Sequence, residues 1–227
     1  MRGIFAVWKP KGPTSHDIVQ KVRRATGERR VGHAGTLDPL AEGILVIAVG
    51  REATKKLSEV VAKEKEYVAK VRLGMTSTTD DEEGAKEIVR VAKKPTREEI
   101  EKVLKKFHGI VSQMPPRYSA IKIKGKEAYK YARKGQEVEL KKRSIEIKEI
   151  EVLGYRFPNL KLRVITGPGV YIRSLARDVG EKLKTGGYLA ALTRTRVGEF
   201  TRRTAFRLPE ISKTPRTIHS RSLQRNT

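Results

Sequence analysis

Residues 43–50, GILVIAVG, form a nearly unbroken apolar run in a chain otherwise crowded with charge. A run without polar alternation predicts a strand covered on both faces, so the fold must supply a layer on each side of it. Immediately upstream stands a polar loop, GHAGTLDPLAEG, with one aspartate, Asp38, between Leu37 and Pro39. Asp-Pro pairs start turns, and a structural turn is one reading of Asp38. A second reading follows from the neighbours. Gly32 and Gly35 let the backbone approach another surface, Pro39 fixes the chain just after the acid, and the strand anchors the loop. An acid held rigidly beside a strand suits a nucleophile or general base.

The charge balance narrows the partners. Fifty lysines and arginines against 26 acidic residues give a formal charge of +24, which points to a polyanion. Nucleic acid is the first expectation and an anionic membrane surface the second. With no cysteine and only four scattered histidines, disulfides, thiol chemistry and a Cys/His metal site are excluded. No stretch approaches the ~20 apolar residues of a membrane span. The start, MRGIFAVWKPKG, has too short an apolar run for a signal peptide, so a cytoplasmic protein without membrane association is expected.

At 227 residues, 37% of them hydrophobic, the chain can hold one large domain or two small ones. GIFAVWKP reads as a strand stopped by Pro10. A helix follows, capped by Thr14 or Ser15, with Ile18, Val19, Val22 and Ala25 on its apolar face and Gly27 as its stop. EYVAKVRLG alternates as a strand with Tyr67, Ala69, Val71 and Leu73 on one side. Thr96 and Glu99 form a capping box ahead of Ile100, Val103, Leu104 and Phe107. SIEIKEIEVLGY and NLKLRVITG read as neighbouring strands, VYIRSLARDVGEKLKTGG as an amphipathic helix ended by glycines, and TRTRVGEF as a last strand. Helices and strands do not alternate strictly, so the expected class is α+β, a mixed, mostly antiparallel central sheet with flanking helices. From Leu208 the chain is polar, basic and aperiodic, and residues 209–227 are expected to be a poorly ordered tail.

VGHAGTLDPLAEGILVIAVGREATK closely resembles the aspartate-bearing motif of the TruB-family pseudouridine synthases, which modify tRNA uridine 55. KPKGPTSHDIVQKVR is similar to that family's N-terminal motif, KEYVAKVRLGMTSTTDDEEG to its tyrosine motif, and QMPPRYSAIKIKGKEAYKYARKG to its RNA-gripping insertion. GPGVYIRSLARDVGEKL and ALTRTRVGEF resemble its C-terminal motifs. Together these blocks cover roughly residues 3–200 in the family's order. The resemblance implies a catalytic domain over 1–208, with the insertion at about 113–143. Family members usually continue into a small PUA-type RNA-binding domain, which the expected tail is too short to form.

The resemblance also implies a chemistry. The C1′–N1 bond of a uridine breaks, the base turns, and C5 is rejoined to C1′, with no cofactor or metal. Asp38 matches the catalytic aspartate. It adds to C6, attacks C1′ or supports a glycal intermediate, three routes that the sequence leaves open, and each needs the carboxylate ionised. Arg173 matches the arginine that pairs with that aspartate, against the plain reading of a surface helix arginine. Tyr67 matches the tyrosine that stacks on the base and serves as a base for a sugar proton. By pattern alone Tyr67 is a core strand residue, and Leu192, which matches the apolar residue beneath the uracil, is simply core. Lys65 and Tyr171 are expected in supporting roles. His33 matches a histidine that contacts RNA where the base is extruded, or else is a turn histidine.

A flipped uridine costs roughly a few kcal/mol, which phosphate contacts offset. Between Arg117 and Arg143 the sequence holds ten lysines and arginines against three glutamates, interleaved with Tyr118, Tyr129 and Tyr131. Basic residues among aromatics suit RNA. Lys9, Arg117, Tyr118, Lys122 and Lys126 are expected to contact the substrate, the T-arm stem-loop of tRNA, and a monomer is expected. Two alternatives stand beside this reading: a guide-RNA-dependent synthase acting on rRNA, and a non-catalytic chaperone that folds tRNA.

Overall fold

The computed structural model describes residues 2–211 apart from 120, 124, 133, 137 and 138. In chain order it contains β1 (Gly3–Lys9), α1 (Ser15–Thr26), β2 (Val31–Ala34), β3 (Ala41–Val49), α2 (Arg51–Lys55), α3 (Leu57–Ala62), β4 (Lys65–Leu73), β5 (Met75–Ser77) and β6 (Lys86–Ile88). Then follow α4 (Arg97–Leu104), a 3-10 turn at Lys105–Phe107, β7 (Gly109–Gln113), β8 (Lys122–Ile123), β9 (Lys126–Glu127) and α5 (Ala128–Ala132). The remainder is β10 (Arg143–Arg156), β11 (Asn159–Thr166), α6 (Ile172–Lys182), β12 (Gly187–Val197), β13 (Phe200–Thr201) and α7 (Leu208–Ile211). The chain divides into two compact units, one of residues 1–68 and 192–227 and one of residues 69–191.

In the first unit the apolar run is β3, buried at eight of its nine positions. β1 and β2 both pair with it antiparallel, and β12 pairs with it in parallel through Leu192–Ala41, Thr193–Glu42 and Arg194–Gly43. The double-sided cover expected of the run is present. One cluster gathers Ile18, Val19 and Val22 of α1 with Phe5, Val7, Leu45, Ile47, Phe206 and Ile211. Another gathers Ala6, Ile44, Val46, Val60 and Val197 with Trp8 and Phe200. Thr14 caps α1 in a reciprocal capping box with Asp17, and Gly27 ends it in the left-handed conformation at φ 68°, where a glycine carries no Cβ penalty. Ala25, expected on the apolar face, is exposed.

In the second unit β4 and β11 are neighbours, followed by β10 and β7, with β10 antiparallel to both β11 and β7. β4 alternates as expected, with Ala69, Val71 and Leu73 buried. The Thr96–Glu99 capping box starts α4, which buries Ile100 and Leu104. α6 stops at Lys182, ahead of the glycines expected to end it. Gly186 and Gly187 serve another purpose: their backbone packs so closely on Gly180 that a Cβ there would lie 2.3 Å from Gly186 C. Two small hairpins, β5–β6 and β8–β9, carry polar sequence that gave no strand signal.

The sheet in each unit is mostly antiparallel with helices against it, the expected α+β class. The tail boundary needs correction. Residues 208–211 form α7, and Ile211 is 3% exposed within the α1 core, because an apolar side chain there completes a hydrophobic cluster. Residues 212–227 lie outside the described residues.

Candidate active site

The Asp38 loop joins β2 to β3. Its flanking Leu37 and Leu40 are buried and Asp38 itself is half-buried. Hydrogen bonds fix the loop backbone on both sides of the acid. Ala41 N–H donates to the Asp38 carbonyl at 3.0 Å, Gly12 N–H donates to the Pro39 carbonyl at 2.8 Å, and Leu37 N–H donates to the Ser15 hydroxyl at 2.8 Å. Such a loop holds a carboxylate in place before any ligand arrives.

Around it the first unit collects buried cations. Lys9 has no solvent exposure, and its ammonium donates to the carbonyls of Ala41 (2.5 Å) and Pro10 (3.1 Å). Burial pulls its pKa down to about 8, with the Asp38 carboxylate acting in the opposite direction and Arg194 adding to the fall. Lys65, 6% exposed, donates to the carbonyls of Val61 and Lys63, and burial followed by Arg194 brings it to about 8 as well. Tyr67 lies two residues on along β4, on the same buried face.

Arg194 joins these groups and was not anticipated. It is 1% exposed, donating through Nε to Ile44 O at 2.7 Å and through Nη2 to Gly35 O at 2.9 Å. The fork of the guanidinium suits it to two divergent carbonyls. Its charge, after burial, also depresses the pKa of the His33 imidazole. His33 sits on β2 opposite Ile47, and its Nδ1 is buried without a hydrogen-bond partner among the described residues. Leu192, 8% exposed, sits opposite Ala41. Lys9 was expected to touch substrate. In the structure its ammonium bonds the loop through the Ala41 and Pro10 carbonyls and lies within electrostatic reach of Asp38.

The second unit holds the other expected residues. Arg173 on α6 is buried; its guanidinium meets the buried Asp81 at 3.3 Å and donates to the Tyr118 carbonyl at 3.0 Å and the Thr79 carbonyl at 3.4 Å. The surface-arginine reading therefore fails. The Tyr171 backbone is gripped from both sides by the Gln113 side chain, at 2.9 and 3.1 Å. Arg177 pairs with Asp80 at 2.7 Å and donates to the Met114 carbonyl at 3.0 Å. Burial raises the Asp80 pKa, with Arg177 and Arg173 opposing it. Arg117 and Lys126 are exposed, Tyr118 is half-buried, and Lys122 opens β8. Sequence reading missed Asp80, Asp81, Gln113 and Arg177; the acids stand in a polar hairpin loop that looks solvated until α6 is laid against it.

Residues 23–172 match the model of the TruB family pseudouridylate synthase N-terminal domain. The chain belongs to the TruB family. Among curated TruB relatives, the "tRNA pseudouridine synthase B" of Thermobifida fusca is 45% identical over 218 residues, covering 92% of this chain and 74% of that protein. The protein of the same name from Parabacteroides distasonis is 46% identical over 199 residues, covering 85% and 84%. Of solved structures, a chain in a Cbf5–Nop10–Gar1 complex is similar with a TM-score of 0.73 at 29% identity; the match covers 93% of this chain and 54% of that one. Another, in an H/ACA RNP bound to a substrate RNA containing 2′-deoxyuridine, has a TM-score of 0.69 at 27% identity, covering 93% and 52%. This chain thus spans about half the length of those two structures. Among the described residues of this TruB-family chain, no group of three or more His, Cys, Asp or Glu is placed to hold a metal, and no helix is long and apolar enough to cross a membrane.

Proposed function

We propose that this chain isomerises uridine to pseudouridine in tRNA, at position 55 of the T-loop, with Asp38 as the catalytic carboxylate. The half-buried acid on a loop fastened at Leu37, Pro39 and Ala41 carries the reading, together with membership of the TruB family. Fixed geometry matters because a carboxylate must meet the extruded nucleotide at one place. The bookkeeping of the reaction is closed. The C1′–N1 bond breaks, a C1′–C5 bond forms, C5 loses its hydrogen as a proton and N1 gains one, so no oxidant or external group is consumed.

Within this proposal Arg173 pairs with Asp38, Tyr67 stacks on the base and takes a sugar proton, and Leu192 supports the uracil. These three roles rest on the family resemblance. His33 presents its ring to the RNA, and Arg117, Tyr118, Lys122 and Lys126 grip the T-arm of the tRNA. The protein works as a cytoplasmic monomer. The similarity to chains from H/ACA complexes favours a guide-dependent reading, but the identity to tRNA pseudouridine synthases B is much higher, 45% against 27–29%.

Incubating the protein with an unmodified tRNA transcript and mapping pseudouridine by carbodiimide-stop sequencing tests the site. Modification at uridine 55, lost in a transcript carrying cytidine there, is expected. Modification appearing only with an added guide RNA would overturn the stand-alone reading.

A further inference from the structure

We propose that Ser15 is a positioning residue for Asp38, acting through the peptide groups of Leu37. The inference rests on the catalytic role proposed for Asp38.

Ser15 is the first residue of α1 and is 2% exposed. Its hydroxyl is not spent on the helix. Thr14 completes the capping box with Asp17, so the orphan amides of that end have their acceptor without it. Instead Ser15 Oγ accepts from Leu37 N–H at 2.8 Å and donates to Leu37 C=O at 2.9 Å. One hydroxyl, with one donor and two acceptor sites, therefore closes both polar groups of the residue just before the acid.

A second contact repeats the logic on the other side. Gly12 N–H donates to the carbonyl of Pro39, just after the acid, at 2.8 Å. The segment 12–15 thus grips both neighbours of Asp38. The Leu37 side chain is 3% exposed, so it cannot swing out to satisfy its backbone with water. Without Ser15 Oγ, the Leu37 peptide groups turn to find partners, and Asp38, one bond further on, turns with them. Displacing a reacting group by about 1 Å lowers a rate by roughly 100-fold.

The experiment measures single-turnover tritium release from [5-³H]uridine-labelled tRNA at saturating protein, with tRNA affinity measured separately. Four proteins are compared: wild type, Ser15→Ala, Thr14→Ala and Asp38→Asn. Thr14 is exposed and, among the described residues, its hydroxyl bonds to Asp17 within the cap, so its loss weakens the same helix end without touching the loop. Ser15→Ala is expected to lower the rate about 10- to 100-fold with tRNA affinity within twofold. Thr14→Ala is expected to stay within twofold of wild type in both. Ser15→Cys keeps a side chain of the same shape, somewhat larger, with a weaker donor and acceptor; it covers the case in which alanine does not fold, and its rate is expected to fall in the same direction.

A Ser15→Ala or Ser15→Cys rate equal to wild type overturns the proposal. So do equal losses in Ser15→Ala and Thr14→Ala, which make Ser15 a helix residue only. If Asp38→Asn keeps its activity, the catalytic reading of Asp38 fails instead, and the two failures are distinct.

Discussion

Gly43 and Arg194 face each other across the parallel pair β3–β12, so close that a Cβ at 43 would stand 2.2 Å from the Arg194 carbonyl oxygen. Gly43 also holds φ at 118°, a conformation that side chains rarely adopt. Gly43→Ala must therefore part the strands that carry the Asp38 loop and Leu192. It is expected to destabilise the protein by at least about 3 kcal/mol, read as a fall in urea midpoint. A loss under about 1 kcal/mol would mean that the strands separate easily.

Arg194 should govern the charges around it. Its guanidinium lowers the pKa values of Lys9, Lys65 and His33, so Arg194→Met is expected to raise all three. The same change leaves the carbonyls of Ile44 and Gly35 without their donor, at about 1–3 kcal/mol each. Lysine ¹⁵Nζ and histidine NMR titrations check the first effect; unchanged titrations would remove Arg194 from the electrostatics of the site.

Lys9 predicts the sign of a pH dependence. Its pKa falls from 10.5 to about 8 on folding. Between these values the unfolded chain holds more protons, so the contribution of Lys9 to stability rises with pH across that window and is flat below about 8. Lys9→Met lacks this rise. The stability of wild type minus that of Lys9→Met is expected to grow between pH 7.5 and pH 10 in urea unfolding, as the ~2.5-unit window is crossed. A gap that stays constant or shrinks contradicts the burial of a depressed lysine. Lys65 shifts in the same direction and keeps part of the slope in the variant.

Arg177 ties the Met114 carbonyl to α6 and to Asp80, at the root of the segment proposed to grip RNA. Arg177→Met frees that root while leaving Asp38 and its loop bonds intact. The expected result is tRNA affinity lowered about tenfold, roughly 1.4 kcal/mol, with the single-turnover rate at saturation within twofold. A rate loss without an affinity loss would place Arg177 in the chemistry rather than in RNA binding.

How legible was this in the sequence? Features set by neighbours in the chain were readable: the apolar run that became β3, the alternation of β4, the caps at Thr14 and Thr96, and the stop at Gly27. The GHAGTLDP loop announced the acid. What stayed hidden depends on distant partners. Arg194 sits in TRTRVG, which reads as a half-solvated strand; only the carbonyls of Ile44 and Gly35, supplied by chain 150 or more residues away, make it a buried hub. The burial of Lys9 was hidden for the same reason, since the Ala41 carbonyl that holds its ammonium is 32 residues away. Ser15 and Thr14 both looked like caps, and only the packing of Leu37 against α1 assigns them different tasks. The short β5–β6 hairpin carries acids whose partners lie on α6, a contact that no local pattern encodes.

The most direct test of the central claim is tritium release from tRNA labelled at uracil C5, comparing wild type with Asp38→Asn. Reattachment through C5 must expel that hydrogen. The account predicts release by wild type, abolished in Asp38→Asn while tRNA binding persists. Release by Asp38→Asn at the wild-type rate, or a wild type that binds tRNA and releases nothing, would contradict it.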